Sequence, residues 1–280
     1  MSGQAYRMAF FGISDKGLKR DNNEDHFIVA DLSRRVIGVL GNRVLPELLC
    51  HDIGPQGTLL AVADGLGGYQ GGEHASRLAV EALTQALFDA KPQAPSLQEQ
   101  LSRAIEVAHQ AICLHRRRTS YHARMASTLT AMHVGPGLLT IAHVGDSRAY
   151  LFRHGTLRLL TEDQTVVNLM QKKGVLTDEE AKSHPSRHTI LQALGQDTAP
   201  CPALYTYPFQ DGDLILLCTD GLSSYVLHDQ IHDTIASDDD EPGCCRRLLK
   251  AAYATGAVDN ITILLARLTV AQGTMPPGAP

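Results

Sequence analysis

Residues 127–160 read STLTAMHVGPGLLTIAHVGDSRAYLFRHGTLRLL. Short apolar segments follow one another, separated by the glycines of GPG, by Gly145 and by a His154-Gly155 turn, and this texture predicts an antiparallel meander. Asp146 lies inside it, where one apolar segment stops. The same placement recurs on either side: Asp64 follows LLAVA, Asp220 follows LILLCT, and Asp259 stands just before ITILLARL. A carboxylate at the mouth of a buried strand is costly unless a positive charge meets it, and several converging make a site for hard divalent cations.

Upstream of the meander, YRMAFFGIS and HFIVADL predict two short strands around the polar turn SDKGLKRDNNED. TLLAVA predicts a buried strand that ends at Asp64 and the glycine cluster GLGGYQGG, and Ala75, Leu78, Ala79, Ala82, Leu83, Ala86 and Leu87 then fall at helical spacing. KPQAPS breaks that helix, and Ser96 with Glu99 gives a second one a capping box. Downstream, TEDQTVVNLMQKKG and TDEEAKSH each open with a Thr-x-x-Gln or Thr-x-x-Glu cap, predicting two short helices in a polar insertion. DLILLCT is a strand, helices are expected over 222–236 and 243–255, and DNITILLARL is a last strand before a Pro/Gly tail over 271–280 expected to be disordered. No repeat or domain boundary is visible, so residues 1–270 are expected to form one domain.

The 280 residues, 44% hydrophobic and 20% charged, suffice for a sizeable core. A formal net charge of −5, with Arg116-Arg117-Arg118 as the densest basic run, gives no pull toward nucleic acid or anionic lipid. The six cysteines contain no C-x-x-C pair and read as reduced, mostly buried thiols. Charged residues precede any long apolar stretch, and no apolar run approaches the ~20 residues of a membrane span, so a cytoplasmic protein is expected, with a monomer as the default assumption.

Glu24 and Asp25 join the four aspartates as acids at segment junctions, an oxygen-rich set without accompanying His or Cys, which favours magnesium or manganese over zinc or copper. Each Asp beside a Gly is also an ordinary turn or cap residue. The repetition argues for a shared role, since Asp64-Gly65 and Asp220-Gly221 place the same dipeptide at two strand ends.

SDKGLKRDNNED, VADGLGGYQGGEHAS, MASTLTA, HVGDSRAYLFRHGTLRLLTEDQ, HTILQALG, GDLILLCTDGL and AVDNITILL, in that order, make the chain resemble the metal-dependent serine/threonine protein phosphatases, the PPM or type 2C family, in its bacterial form. The resemblance implies an α+β fold, a central antiparallel β-sandwich flanked by helix pairs in four α/β/β/α layers, with manganese or magnesium at one edge, two ions per site and room for a third. It implies that Asp64 bridges two metals, that the Gly65 carbonyl helps hold the second, and that Asp220 and Asp259 complete the first. Asp146 and Asp220 match the positions of the third metal. Glu24, Asp25 and Asn260 support the ligands from behind, and Arg20 grips the substrate phosphate. The implied reaction is hydrolysis of phosphoserine and phosphothreonine by a water between the metals, opposing a serine/threonine kinase; phosphoproteins are the implied partners. Two cations roughly 3.5–4 Å apart neutralise a phosphomonoester dianion and acidify that water, and a guanidinium can hold two phosphate oxygens as a fork.

Two positions depart from the family. Leu66 stands where some relatives carry a histidine for the leaving group, so that role is unassigned, and Gln164-Thr165 stands where His-Ser is usual. Residues 164–187 correspond to the family's flap. Among other chemistries, a thiol phosphatase would need C-x5-R, which no cysteine provides, and the glycine motifs lack phosphate-loop or dinucleotide spacing. Ser147 with Asp229 and His232 mimics a hydrolase triad but leaves Asp64, Asp220 and Asp259 unexplained. An inactive phosphoprotein-binding copy of the fold is the remaining alternative. His26, His143, His154 and His184 read as surface or loop residues, Arg116-Arg117-Arg118 as a solvated helix end, Cys244-Cys245 as packing, and Arg148 as an ion-pair partner or a surface charge.

Overall fold

Strand-forming runs that are apolar at nearly every position need a cover on both faces. The computed structural model describes residues 5–40, 43–44, 49–67, 71–90, 96–118, 125–237 and 240–271, and it supplies both covers. The chain opens with β1 (Tyr6–Asp15), β2 (His26–Asp31), β3 (Val36–Leu40), β4 (Arg43–Val44), β5 (Cys50–Asp52) and β6 (Thr58–Ala63). Two long helices, α1 (Gly71–Phe88) and α2 (Leu97–Arg118), lie between the paired two-residue strands β7 (Gly65–Leu66) and β8 (Ala126–Ser127). Then come β9 (Leu129–Gly135), β10 (Leu138–Val144), β11 (Arg148–Arg153), β12 (Thr156–Leu159), α3 (Val166–Lys172) and α4 (Asp178–Ser183). The chain closes with β13 (Ala203–Pro208), β14 (Leu214–Cys218), α5 (Asp220–Ser223), α6 (His228–Ala236), α7 (Glu241–Ala254) and β15 (Ile261–Val270).

One antiparallel sheet runs β12-β11-β14-β15-β1-β5 and the other β13-β10-β9-β6-β2-β3-β4. Side chains alternate across each strand, so every central strand feeds two cores. From β6, Leu60 and Val62 join Phe27, Met132, Leu217 and Leu264 between the sheets, while Leu59, Ala61 and Ala63 pack with Ala79, Leu83, Leu101 and Ile105 of α1 and α2. From β15, Ile261, Ile263 and Leu265 face Leu222, Ile231, Cys244 and Leu248 beneath α5, α6 and α7. The result is the expected four-layer α/β/β/α sandwich.

Strand register brings the junction acids to one end. The pair His26↔Ala63 sets Asp25 beside Asp64, Arg148↔Cys218 sets the Asp146 bend beside Asp220, and Cys218↔Ile263 with Asp15↔Ile261 brings Asp259 and the loop carrying Arg20 to the same rim.

Several expectations are corrected. Residues 127–160 form two hairpins rather than one meander: β9 and β10 belong to one sheet and β11 and β12 to the other. The crossing is at Gly145, whose φ of 108° suits glycine and whose absent Cβ would meet the Thr128 side chain at 2.6 Å. The helix expected over 222–236 is split into α5 and α6. Leu222 and Ile231 both reach the core, yet nine residues put them on opposite faces of a continuous helix.

The first helix of the insertion is capped by Thr165, which accepts from the Asn168 N–H, and not by Thr161. Thr161 accepts instead from the Ala149 N–H at 3.1 Å. The Thr177–Glu180 capping box forms as expected. Cys50–Asp52 and Ala203–Pro208, for which no strand is expected from the sequence, are strands. All six cysteines are free, but only Cys218, Cys244 and Cys245 are buried, while Cys50 and Cys201 are exposed. Residues 272–280 of the expected tail lie outside the described residues. Among the described residues no helix is long and apolar enough to cross a membrane.

Candidate active site

Asp64 leaves β6 with its backbone fully engaged. Its N–H donates to Thr128 Oγ1 at 2.9 Å, and its carbonyl accepts from the Thr128 N–H at 2.9 Å and from Ser127 Oγ at 3.0 Å. The next residue must be small. A Cβ on Gly65 would stand 2.1 Å from the Gly72 carbonyl oxygen and 2.6 Å from that of Glu24, so glycine lets the start of α1 and the Glu24 backbone close on the strand end. The Gly65 N–H donates to the Glu24 carbonyl at 3.2 Å.

Asp25 lies beneath, 3% exposed. Its Oδ2 accepts from Thr219 Oγ1 at 2.7 Å and Thr262 Oγ1 at 2.8 Å, while Oδ1 has no partner. Asp220 begins α5 directly after β14, and its Oδ1 is likewise buried without a partner, as is Oε1 of Glu24. A Cβ on Gly221 would lie 1.9 Å from the Asn260 carbonyl oxygen, so the dipeptide Asp220-Gly221 lets the last two acids approach. Asp259 Oδ1 accepts from the Asn260 N–H at 2.8 Å, and Oδ2 accepts from Arg20 Nη2 at 2.7 Å. Asn260 organises the loop behind, accepting from the Glu24 N–H at 2.8 Å and donating to the carbonyls of Lys16 and Asn22, each at 2.9 Å.

The acids sense one another. Burial pushes the Asp64 carboxyl well above the usual range, with the charges of Asp25, Asp220, Asp146 and Asp259 adding to it. Burial and then Asp220 raise Asp146 to about 8. Burial raises Asp25 to about 7 against the two threonine hydroxyls, and raises Asp220 to about 6, helped by Asp259 and opposed by a hydrogen bond with Asp64. Glu24 is raised chiefly by burial, with Arg20 opposing. A cluster of desolvated carboxyls with unpartnered oxygens has the chemistry of a hard-cation site. Among the described residues no three such side chains already stand at metal-binding spacing. Asp259 is instead turned to Arg20.

Asp64, Asp146, Asp220, Asp259, Arg20, Glu24, Asp25 and Asn260, all singled out in the sequence, thus gather at one rim. His188 was missed as a neighbour of the site: its Nδ1 lies 3.8 Å from Asp220 Oδ2, and its ring stacks on Tyr225 at 6.4 Å. Its only signal was membership of HTILQALG. The hydroxyl layer of Ser127, Thr128, Thr219 and Thr262 was also missed, although MASTLTA held half of it. Arg148 proves to be an ion-pair partner, forked onto Asp163 at 2.9 and 2.7 Å.

His143 is fully buried, not a loop residue: it lies between Thr130 Oγ1 at 2.9 Å and the Glu162 carbonyl at 3.1 Å. Arg116 is docked on the Gly195 carbonyl at 2.7 Å rather than solvated. The serine-triad geometry does not form. Ser147 is buried against Thr128 Oγ1 at 2.9 Å, while His232 bonds the Gly155 carbonyl at 2.9 Å and Asp233 at 3.0 Å.

A helix-flanked β-sandwich with an arginine set against buried carboxylates at one rim defines the class of metal-dependent phosphatases. Residues 48–248 match a family model described as Protein phosphatase 2C, so the chain belongs to that family. The match spans Asp64, Asp146 and Asp220 but not Arg20 or Asp259. The serine/threonine phosphatase stp of Listeria welshimeri is 33% identical over 216 residues, 76% of this chain and 86% of that one. The crystal structure of the Mycobacterium tuberculosis serine/threonine phosphatase PstP/Ppp superposes with a TM-score of 0.78 at 33% identity, covering 94% of this chain and 99% of the other. A structure of the PstP catalytic domain in complex with two manganese ions gives 0.76 at 30% identity, with the same 94% and 99% coverage.

Proposed function

We infer that this chain is a metal-dependent protein serine/threonine phosphatase, a phosphoric monoester hydrolase acting on phosphoserine and phosphothreonine and opposing a serine/threonine kinase. One observation carries the reading: buried carboxyls raised by burial and by one another, facing Arg20 at a single rim. Asp64, the Gly65 carbonyl, Asp220 and Asp259 are the residues that would hold two manganese or magnesium ions, with Asp146 for a third; when bound, such ions would supply charge neutralisation and acidify a water. The PstP catalytic domain, 30% identical, is in complex with two manganese ions, which supports the choice and number of ions.

The protein's own groups do the rest. Arg20 exchanges Asp259 for the phosphate, to which its fork geometry is suited, and stabilises charge on the transferring group. Asp25 fixes the strand ends below the acids through Thr219 and Thr262. Asn260 holds Glu24 and the Arg20 loop in place.

Residues 1–270 are proposed as one catalytic domain with 164–187 as its flap, working as a cytoplasmic monomer on phosphoproteins. Release of phosphate from p-nitrophenyl phosphate tests the reading. Turnover is expected with Mn²⁺ or Mg²⁺ and is expected to vanish in excess chelator; no turnover with either ion would leave a phosphoprotein-binding role.

A further inference from the structure

Gln164 stands where the resemblance implies histidine, and its side chain makes contacts an imidazole could not. Its Oε1 accepts two hydrogen bonds, from the Gly145 N–H at 2.9 Å and from Gln192 Nε2 at 2.8 Å, while its Nε2 donates to the His143 carbonyl at 3.1 Å. A carboxamide oxygen has two lone pairs and the neighbouring nitrogen is a donor; each imidazole nitrogen offers one lone pair or one proton. The backbone of the same residue is tied as well: its N–H donates to the Gly145 carbonyl at 2.8 Å, and its carbonyl accepts from the Leu191 N–H at 2.7 Å. Gln192 extends the knot, donating to the Cys201 carbonyl and accepting from the Cys201 N–H, both at 2.9 Å.

Both ends of the polar insertion, Gln164 at its start and Leu191-Gln192 at its finish, are therefore fastened to one bend. That bend is Gly145, the crossing between sheets, and it presents Asp146. We propose that Gln164 is a positioning residue that couples the insertion 165–191 to the Asp146 bend, so that whatever the insertion contacts is felt at the carboxylate rim. The proposal rests on the phosphatase reading only for its kinetic consequence, since the coupling is a property of the metal-free protein.

Hydrogen exchange on chelator-treated protein tests it, comparing wild type with Gln164→Ala, Gln164→Glu and Gln192→Leu. Gln164→Ala is expected to deprotect the amides of 145–148 and of 189–192 together, leaving α1 and α2 unchanged. Gln192→Leu, which leaves Gln164 in place, is expected to deprotect 145–148 as well. Gln164→Glu keeps the two-acceptor oxygen but sets a carboxylate oxygen against the His143 carbonyl, and is expected to fall between wild type and Gln164→Ala. In turnover, Gln164→Ala is expected to raise KM for a phosphopeptide by a larger factor than KM for p-nitrophenyl phosphate. If 145–148 keeps its protection in Gln192→Leu, or if Gln164→Ala loosens the whole chain evenly, the coupling is refuted. Absence of turnover in every form including wild type would refute the phosphatase reading and leave the exchange result to decide the coupling.

Discussion

Arg20 Nη2 donates to Asp259 Oδ2 across 2.7 Å, joining residues 239 positions apart in sequence. Arg20 is about half exposed while Asp259 is mostly covered, with side-chain exposures of 53% and 22%. The guanidinium thus reaches in from solvent to a carboxylate that the phosphatase reading gives to a metal, so removing it has opposite effects on the two ligands. Arg20→Ala is expected to raise KM for p-nitrophenyl phosphate by about 10–100-fold, the loss of a charge-assisted fork, while manganese binds as tightly as before or tighter. Steady-state kinetics with calorimetric titration checks both halves. Weaker manganese binding together with an unchanged KM would contradict the assignment.

Gly221 is expected to tolerate no side chain. A Cβ there would stand 1.9 Å from the Asn260 carbonyl oxygen, so Gly221→Ala must push the Asn260-Ile261 peptide, next to Asp259, away. Overpacking of this kind costs about 1–3 kcal/mol, and a displacement of order 1 Å at a reacting site costs about 100-fold in rate. Urea denaturation and kcat measured on one preparation would show both; an active variant with wild-type stability would mean that the two loops are not held together there.

Much of this was readable from residues. The ends of β6, β14 and β15 were legible because those strands are buried on both faces, so their apolar runs stop abruptly where the acids begin. The partition between sheets was not legible at Gly145, because a chain crossing between sheets and a hairpin turn use the same residue types. β13 was missed because it is an edge strand whose Tyr, Thr and Pro residues are half exposed, which blurs the period-two signal. The threonine pair under Asp25 was invisible for a different reason. Thr219 and Thr262 lie on separate segments, and only the pairing of β14 with β15 makes one hydroxyl pair of them.

Cation binding should release protons. Asp146 is raised to about 8 and Asp64 well above its ordinary value, chiefly by burial. A ligand with a raised pKa holds a proton below that pKa, and the cation must displace it. Manganese affinity is therefore expected to climb from pH 6 to pH 8, about tenfold per pH unit for each proton displaced. Titration calorimetry in two buffers of different ionisation enthalpy counts the protons; equal affinity at pH 6 and pH 8 would argue against protonated ligands.

His143 makes a contribution of the depressed kind. Burial lowers it from 6.5 to about 4. Below about pH 6.5 the unfolded chain takes up a proton that the folded chain refuses, so stability is lost as pH falls toward 4, by roughly 3 kcal/mol. Asp25 and Asp64, raised in the folded protein, act in the opposite direction. The clean quantity is accordingly the stability gap between wild type and His143→Asn in chelator, which is expected to narrow from pH 7 to pH 4. A gap that stays constant would mean that His143 takes up its proton as readily in the folded chain as in the unfolded one.

The claim that the strand-end aspartates form one catalytic metal site is tested most directly by manganese titration of Asp259→Ala, followed by turnover of p-nitrophenyl phosphate on the same sample. Manganese affinity is expected to weaken by about 100-fold or more, as follows from loss of a charged ligand, with no measurable turnover and a circular dichroism spectrum like that of wild type. Wild-type manganese affinity with full-rate turnover would show that Asp64, Asp146, Asp220 and Asp259 do not act as a single site.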